Sequence, residues 1–319
     1  GGRIGDGTEN STATPVDVVG LSSGVEAVSA GSETTCALVG GGAKCWGARV
    51  GDGVSPYGSS LVPVDVQGMT SGVRQVDVGN GFTCFVTTSS NVQCLGDNGW
   101  GQLGDGTRTS TDTVSTAVQP LAGNVSSIAS GGSTTCAILL DATVTCWGYG
   151  GAGQLGDGTF GLDSANPYAP VPVTVTGLSS VVALAAGDSH FCALTAAGAM
   201  KCWGYNEFGQ LGNNSVYSAP TPVDVVGLQS GVRAISAGAS HTCALLDTGE
   251  VRCWGDNRYG SIGQGATSSP VYTPAAVPGL SGTTTALSAG TWAACALNSI
   301  GELRCWGSVP GNGIQPGAV

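Results

Sequence analysis

Basic residues are scarce in this chain: ten Lys and Arg stand against 21 Asp and Glu among 319 residues, for a net charge of −11. A surface that tracks phosphates needs the opposite balance, so nucleic acid is a poor partner. Apolar runs are short, and none approaches the roughly 18 residues a spanning helix needs, so no membrane insertion is expected. No charged segment leading into an apolar stretch opens the chain at Gly1, and any export signal is expected to have been removed or to lie outside it. A helical period of 3.6 residues is nowhere sustained over three turns, which argues against a helical protein. Glycine, by contrast, is abundant, with 55 residues. Short runs of Val, Thr, Leu and Ala bounded by Gly, Asp, Asn and Pro read as many brief strands joined by tight turns, an all-β class.

Twelve cysteines organise the chain. The first members of successive pairs, Cys36, Cys84, Cys136, Cys192, Cys243 and Cys295, follow one another at intervals of 48, 52, 56, 51 and 52 residues. A period near 50 residues marks a propeller blade or a solenoid turn. The order within a unit is constant: a strand such as "VRAISAG" (232–238), then "TCALL" (242–246), a turn, "EVRCWG" (250–255), a loop such as "GQLGDGT" (101–107), then "PVDVVGL" (222–228). Four short strands per unit is the count of one propeller blade.

The stretches "AGDSHFCALTAAGAMKCWGYNEFGQLG" (186–212) and "AGASHTCALLDTGEVRCWGDNRYGSIG" (237–263) closely resemble the regulator of chromosome condensation repeat, and the resemblance covers nearly the whole chain. It implies a β-propeller, usually seven-bladed, whose members bind other proteins through loops on one face. Here there are six units, each with a cysteine pair, at about 25–68, 73–121, 125–177, 181–227, 232–279 and 284–319 plus 1–20. The cysteine pairs set the chain apart from a nuclear nucleotide-exchange role. The chain is read as a single propeller domain over 1–319.

Residues 1–19 match the loop and fourth strand of a unit that lacks its first three strands, whereas the last unit has those three at 284–307. The N-terminal strand at 15–19 is therefore expected to complete the last blade and remove both sheet edges. Pairing of the residue before the second cysteine with the third residue of the "PVDV" strand sets Lys44 opposite Asp65, Lys201 opposite Asp224 and Thr145 opposite Thr174; closure adds Arg304 opposite Asp17. Arg252 opposite Ala276 breaks the pattern, and Gln93 opposite Ala117 carries no charge pair. The rival placement gives "PGAV" (316–319) the fourth strand and frees 1–19 to pair with another molecule.

The pairs Cys36/Cys45, Cys84/Cys94, Cys136/Cys146, Cys192/Cys202, Cys243/Cys253 and Cys295/Cys305 leave no cysteine over, the signal of a disulfide framework. One pair is nine residues apart and five are ten; the shorter carries a Gly-Gly turn where another has Asp247-Thr248-Gly249. Shortening the loop while keeping the cysteines opposed is what a cross-strand bridge requires. Structural zinc would pair cysteines two to four residues apart with four ligands, and a redox centre would show Cys-x-x-Cys. Neither pattern is present, so no metal and no cofactor are expected. A disulfide in every unit implies an oxidising compartment, extracellular or on a cell surface.

His190 and His241 share one place in two units and read as packing residues, each with a single hydrogen bond. Trp46, Trp147, Trp203, Trp254 and Trp306, with Leu95 in the sixth place, follow the cysteine and are expected to pack blade on blade. Asp6, Asp52, Asp105 and Asp157 in "GDG" turns fit backbone-bonded turns better than a calcium site, which needs six or more converging oxygens. Three sequons begin at Asn10, Asn124 and Asn213, and the long loop 160–170 is the main insertion.

Trp100, Phe208 and Tyr259 precede "GQLG", "GQLG" and "GSIG" in the loop after the third strand, with Ala152 in the same place. Equivalent loops of equal blades share a face, so these aromatics are the candidate binding residues. No catalytic residue is assigned. The expected function is a non-enzymatic extracellular interaction or surface-structural propeller with a protein or glycan partner or a copy of itself. The alternative is a filament or array subunit joined head-to-tail by its terminal strands. A propeller hydrolase or lyase would need converging carboxylates, and the sequence clusters none.

Overall fold

The Gly-punctuated runs of Val, Thr and Ala form strands because β-branched side chains pack well on a pleated surface while glycine supplies the turns. In the computed structural model, residues 2–12, 14–54, 58–114, 118, 120–121, 123–161, 166–280 and 283–308 are described, and among them there is no helix. Six blades of three to four antiparallel strands are arranged as a β-propeller. Blade one holds β1 (Val25–Ala30), β2 (Thr34–Val39), β3 (Gly42–Ala48) and β4 (Ser59–Asp65); blade two holds β5 (Val73–Val78), β6 (Phe82–Thr87) and β7 (Val92–Gly96). Blade three has β8 (Val125–Gly131), β9 (Thr134–Leu139), β10 (Val144–Tyr149) and β11 (Tyr168–Thr174). Blade four has β12 (Val181–Ala186), β13 (His190–Thr195), β14 (Met200–Gly204) and β15 (Ala219–Asp224). Blade five has β16 (Val232–Ala237), β17 (His241–Leu246), β18 (Val251–Gly255) and β19 (Val271–Ala276), and blade six has β20 (Thr284–Ala289), β21 (Ala293–Asn298) and β22 (Leu303–Gly307).

Two compact units divide this array. The first comprises 1–140, 145–150 and 161–173, the second 141–144, 151–160 and 174–319. Each has its own cores where consecutive blades meet. In the first unit Leu38, Ala43 and the Cys36–Cys45 pair pack with Val73 and Val76 of the next blade. In the second, Leu194, Met200 and Cys192 pack with Val232 and Trp254.

Every blade carries one disulfide between its second and third strands: Cys36–Cys45, Cys84–Cys94, Cys136–Cys146, Cys192–Cys202, Cys243–Cys253 and Cys295–Cys305, with Cα atoms 4.0–4.1 Å apart. Register explains why. Cys243 lies directly opposite Cys253, Cys84 opposite Cys94, and Cys36 opposite Cys45 despite the shorter loop. Cys94 and Cys146 are fully buried together with their partners Cys84 and Cys136, so these bridges belong to the blade cores. Val39 pairs with Gly42, leaving Gly40 and Gly41 as a two-residue turn with φ of +59° and +73°. That left-handed pair is the hairpin turn glycine adopts without steric cost.

The tryptophans lock successive blades together. Each indole N–H donates to a backbone carbonyl in the loop that precedes its blade: Trp46 to Arg3 at 2.8 Å, and Trp147 to Gln102, Trp203 to Gln154, Trp254 to Gln210 and Trp306 to Ser261, all at 2.9 Å. The second glycine of each "GQLG" lies against that indole. A Cβ on Gly104 would stand 2.8 Å from Trp147 Nε1.

The charge register holds where expected: Lys44 pairs with Asp65 at 2.5 Å and Lys201 with Asp224 at 2.6 Å. Thr145 donates its hydroxyl to the Val173 carbonyl at 2.8 Å, and Arg252, opposite Ala276 as expected, bonds Glu250 at 2.8 Å. Ala117 and the tail 309–319 lie outside the described residues. Residues 15–19, expected to close blade six, form no strand; Val19 N–H donates to the Gly5 carbonyl at 2.9 Å instead. Arg304, expected opposite Asp17, bonds Glu302 at 2.7 Å and the Gly279 carbonyl at 2.7 Å. A fourth strand forms only beside a third, and residues 15–19 have none next to them in their own unit.

Candidate functional site

The loops that carry the aromatic residues are built around one buried asparagine. Asn206 Nδ2 donates to Asn213 Oδ1 and to the Ser215 and Tyr217 carbonyls at 2.9–3.1 Å, while its Oδ1 accepts the Leu211 N–H at 2.9 Å. Asn98 serves the preceding loop of the same type in the first unit, reaching Asp105, Thr107 and Thr109, and Asn257 serves the next loop in the second. The glutamine of "GQLG" then fixes the aromatic backbone: Gln102 Oε1 accepts the Trp100 N–H at 3.0 Å and Gln210 Oε1 the Phe208 N–H at 3.1 Å. Leu103 and Leu211 seal each loop from below as fully buried side chains. The aromatics therefore sit on pre-ordered loops, which lowers the entropy lost when a partner binds.

In the first unit, Trp100 is 41% exposed and meets Tyr149 edge-on, with ring centroids 5.0 Å apart. Arg108 donates to the Gly99 carbonyl at 2.7 Å beside Trp100 and lies over the Tyr168 ring at 4.3 Å.

In the second unit the structure brings Phe208 and the Tyr259 loop together through Arg258. The Arg258 guanidinium lies 4.6 Å over the Phe208 ring and bonds Asp256 at 2.6 Å, while Tyr205 meets Phe208 edge-on at 6.2 Å. Tyr259, 37% exposed, packs against Trp292, itself 47% exposed, at 4.9 Å. Tyr205 Oη donates to Glu207, and that bond pushes its hydroxyl up to about 12. Rings with free faces beside already paired charges suit stacking against a partner without desolvating an unpaired ion.

Tyr149, Tyr205, Arg258 and Trp292 had not been singled out in the sequence. Trp292 carried a readable signal, since it stands where the other units have Glu33, Gly81, Ser133, Ser189 and Ser240. The tyrosines follow "CWG" in only two units, too few to form a column.

The other polar groups are structural. His190 Nε2 lies 2.9 Å from Thr242 Oγ1, which donates onward to the Gln210 carbonyl at 2.9 Å. The hydroxyl proton is spent on that carbonyl, so His190 must donate from Nε2 and leave Nδ1 bare in the core. Burial, with His241 nearby, pushes His190 down to about 3; burial pushes His241 down to about 4. Asp6, Asp105 and Asp157 each accept the N–H and hydroxyl of the threonine two residues on, at 2.8–3.0 Å. On the first strand of blade two, Asp77 accepts the Ser130 N–H and the Ser29 hydroxyl, and burial pushes its carboxyl up to about 6.

Comparison with known proteins matches residues 125–154, 181–210 and 232–261 to the regulator of chromosome condensation (RCC1) repeat, and a second pattern of that repeat to 141–194 and 198–245. The ultraviolet-B receptor UVR8 of Arabidopsis thaliana is 32% identical over 182 residues, 56% of this chain and 40% of the receptor. The E3 ubiquitin-protein ligase HERC2 of Homo sapiens is 36% identical over 156 residues, 48% of this chain and 3% of the ligase. The chain thus spans less than half the length of either relative. Among solved structures, human WBSCR16 has a TM-score of 0.73 at 26% identity, covering 84% of this chain and 70% of that one. Yeast RCC1 (Prp20), crystallised with Kap60, has a TM-score of 0.79 at 19% identity, covering 92% of this chain and 73% of that one, a likeness of fold.

Proposed function

We propose that this chain, whose residues 125–261 match the regulator of chromosome condensation repeat, is a non-enzymatic, extracellular or cell-surface propeller of that repeat family that binds a protein partner through the loops after the third strands. The observation that carries the reading is the set of exposed rings, Trp100 with Tyr149 in one unit and Tyr259 with Trp292 in the other, on loops fixed by Asn98 and Asn257. Large aromatic rings on rigid loops are the usual anchors of a protein interface. Yeast RCC1 (Prp20) is itself seen bound to another protein, Kap60. The net charge of −11 disfavours nucleic acid. What supports the compartment is the set of six disulfides, a bond that persists where thiols are not kept reduced.

The test replaces Trp100 and Tyr259 together by Ser and compares capture of proteins from the native environment. Loss of specific capture with stability lowered by less than about 1.5 kcal/mol, the scale of two ring pairs, supports the reading. A large loss of stability assigns the rings to structure. Mass spectrometry of protein taken from its native setting, with free thiols alkylated, tests the compartment: alkylated cysteines would remove it.

A further inference from the structure

The loops that join the first two strands of blades four, five and six, all in the second unit, are tied into one row. Asp188 N–H donates to the Ala239 carbonyl at 3.1 Å, and Ala239 N–H to the Thr291 carbonyl at 3.2 Å. The chain leaving each third strand is pinned to that row: Tyr205 N–H donates to the Ser189 carbonyl, Asp256 N–H to that of Ser240 and Ser308 N–H to that of Trp292, each at 2.9 Å. In an antiparallel blade the loop after the first strand and the loop after the third lie at the same end. The row therefore shares its face with the rings of Tyr205, Phe208 and Tyr259, and Trp292 belongs to it.

The charges on this face are unevenly paired. Arg258, the one cation among the described residues of these loops, is held by Asp256 at 2.6 Å, and Glu207 accepts the Tyr205 hydroxyl at 2.5 Å. Asp188 has neither. It is exposed, and among the described residues no hydrogen bond or ion pair reaches its carboxylate, while the surrounding loops desolvate the group and raise its pKa. A carboxylate that has lost part of its water and gained no partner is stabilised by a cation brought to it. Ser32, Asn80, Gly132, Ala239 and Thr291 hold the same place in the other units, so this charge is peculiar to blade four.

We propose, on the reading that this face binds a protein, that the partner presents an extended cationic segment: a Lys or Arg pairs with Asp188, and an apolar residue of the same segment stacks on Tyr259 and Trp292. Two backbone hydrogen-bond steps separate Asp188 from Thr291, up to about 10 Å. An extended chain covers that span in about three residues. A net charge of −11 draws such a segment in and repels an acidic one. The rings at the far end add apolar contact without a further charge to desolvate, because Arg258 is already paired.

The test uses the full chain with its disulfides intact and dye-labelled peptides read by fluorescence anisotropy. One series carries Arg or Lys with Leu, Phe or Tyr three places away; the matched series carries Glu instead of the cation. The cationic series should bind, more weakly as salt rises, and the Glu series should not. Asp188→Asn has no hydrogen bond to lose and should weaken the cationic series about fivefold, the upper end for an exposed ion pair. Asp188→Lys should turn the preference toward Glu. Trp292→Ser should weaken binding and leave its salt dependence unchanged. Binding that Trp292→Ser weakens and Asp188→Asn does not touch overturns the cation and leaves the rings as a binding site. Equal binding of the two series, or binding of neither, overturns the proposal as well. The protein-binding reading itself is decided separately, by capture of native proteins with Trp100 and Tyr259 replaced.

Discussion

The backbone carbonyl of Gln210 accepts the indole N–H of Trp254 at 2.9 Å, and the same oxygen accepts the Thr242 hydroxyl. Close approach of loop and indole is possible because Gly212, at φ +65°, has no side chain; a Cβ there would stand 2.6 Å from Trp254 Nε1. Gly212→Ala should therefore lower stability by about 3 kcal/mol, combining left-handed strain with the clash. Gly227→Ala is the control, since Gly227 has φ +71° but open space around it, and should cost about 1 kcal/mol. Chemical denaturation of both variants checks the difference, and equal losses would refute the role given to the indole contact.

Asn206 is the hub of the Phe208 loop. Asn206→Ala removes the partners of the Ser215 and Tyr217 carbonyls and of the Leu211 N–H. The expected cost is about 1–3 kcal/mol, with faster hydrogen exchange confined to 207–217, because unpaired buried groups carry their full desolvation penalty. Exchange unchanged in that segment would show that packing alone holds the loop.

Each disulfide closes a short hairpin on its own blade. Replacing Cys243 and Cys253 together by Ala should lower stability by about 3 kcal/mol on the chain-entropy account and leave the other five bridges intact. Reduction of the unmodified protein should raise its mass by about 12 Da, two hydrogens for each of six bridges. Any smaller increase identifies an unformed bridge.

Acid should loosen the second unit through its histidines. The unfolded chain takes up protons on them near pH 6.5, while the folded chain holds His190 neutral down to about 3 and His241 down to about 4. Their contribution is complete above pH 6.5 and lost as pH falls through that window, by about 2 kcal/mol for His190 at pH 5. His190→Gln keeps a donor toward Thr242 and should remove that share of the acid sensitivity in denaturant unfolding between pH 7 and 5. An unchanged pH slope would place the His190 ring in contact with water.

Asp77 has the opposite sign. Its folded carboxyl is raised to about 6 from 3.8, so the proton it retains favours the folded chain below pH 3.8 and that contribution disappears as pH rises through 6. Asp77→Asn should therefore gain stability relative to wild type between pH 4 and 7, and a flat difference would mean that the hydrogen bonds from Ser29 and Ser130 outweigh burial.

Blade number, hairpin register and disulfide pairing were legible because their causes are local or repeat at a fixed period. Cys36 and Cys45 could be matched because shortening a turn by one residue leaves only one way to keep two cysteines opposed. The tryptophans were placed between blades from the same columns, but not their partners, since a backbone carbonyl has no residue identity to read. The aromatic site was half legible. Trp100, Phe208 and Tyr259 stood in one column, whereas Trp292 reaches Tyr259 from another blade, and Arg258 reaches Phe208 across fifty residues of chain.

The sequence alone determined the unit: where strands start and turn, which cysteines face each other, and that the chain bears few cations. Tertiary structure decided which rings pair, which imidazole nitrogen stays bare, and that residues 15–19 form no strand. Most of those depend on which surfaces of neighbouring blades meet, far apart along the chain, and hydrophobic contact is indifferent to sequence order.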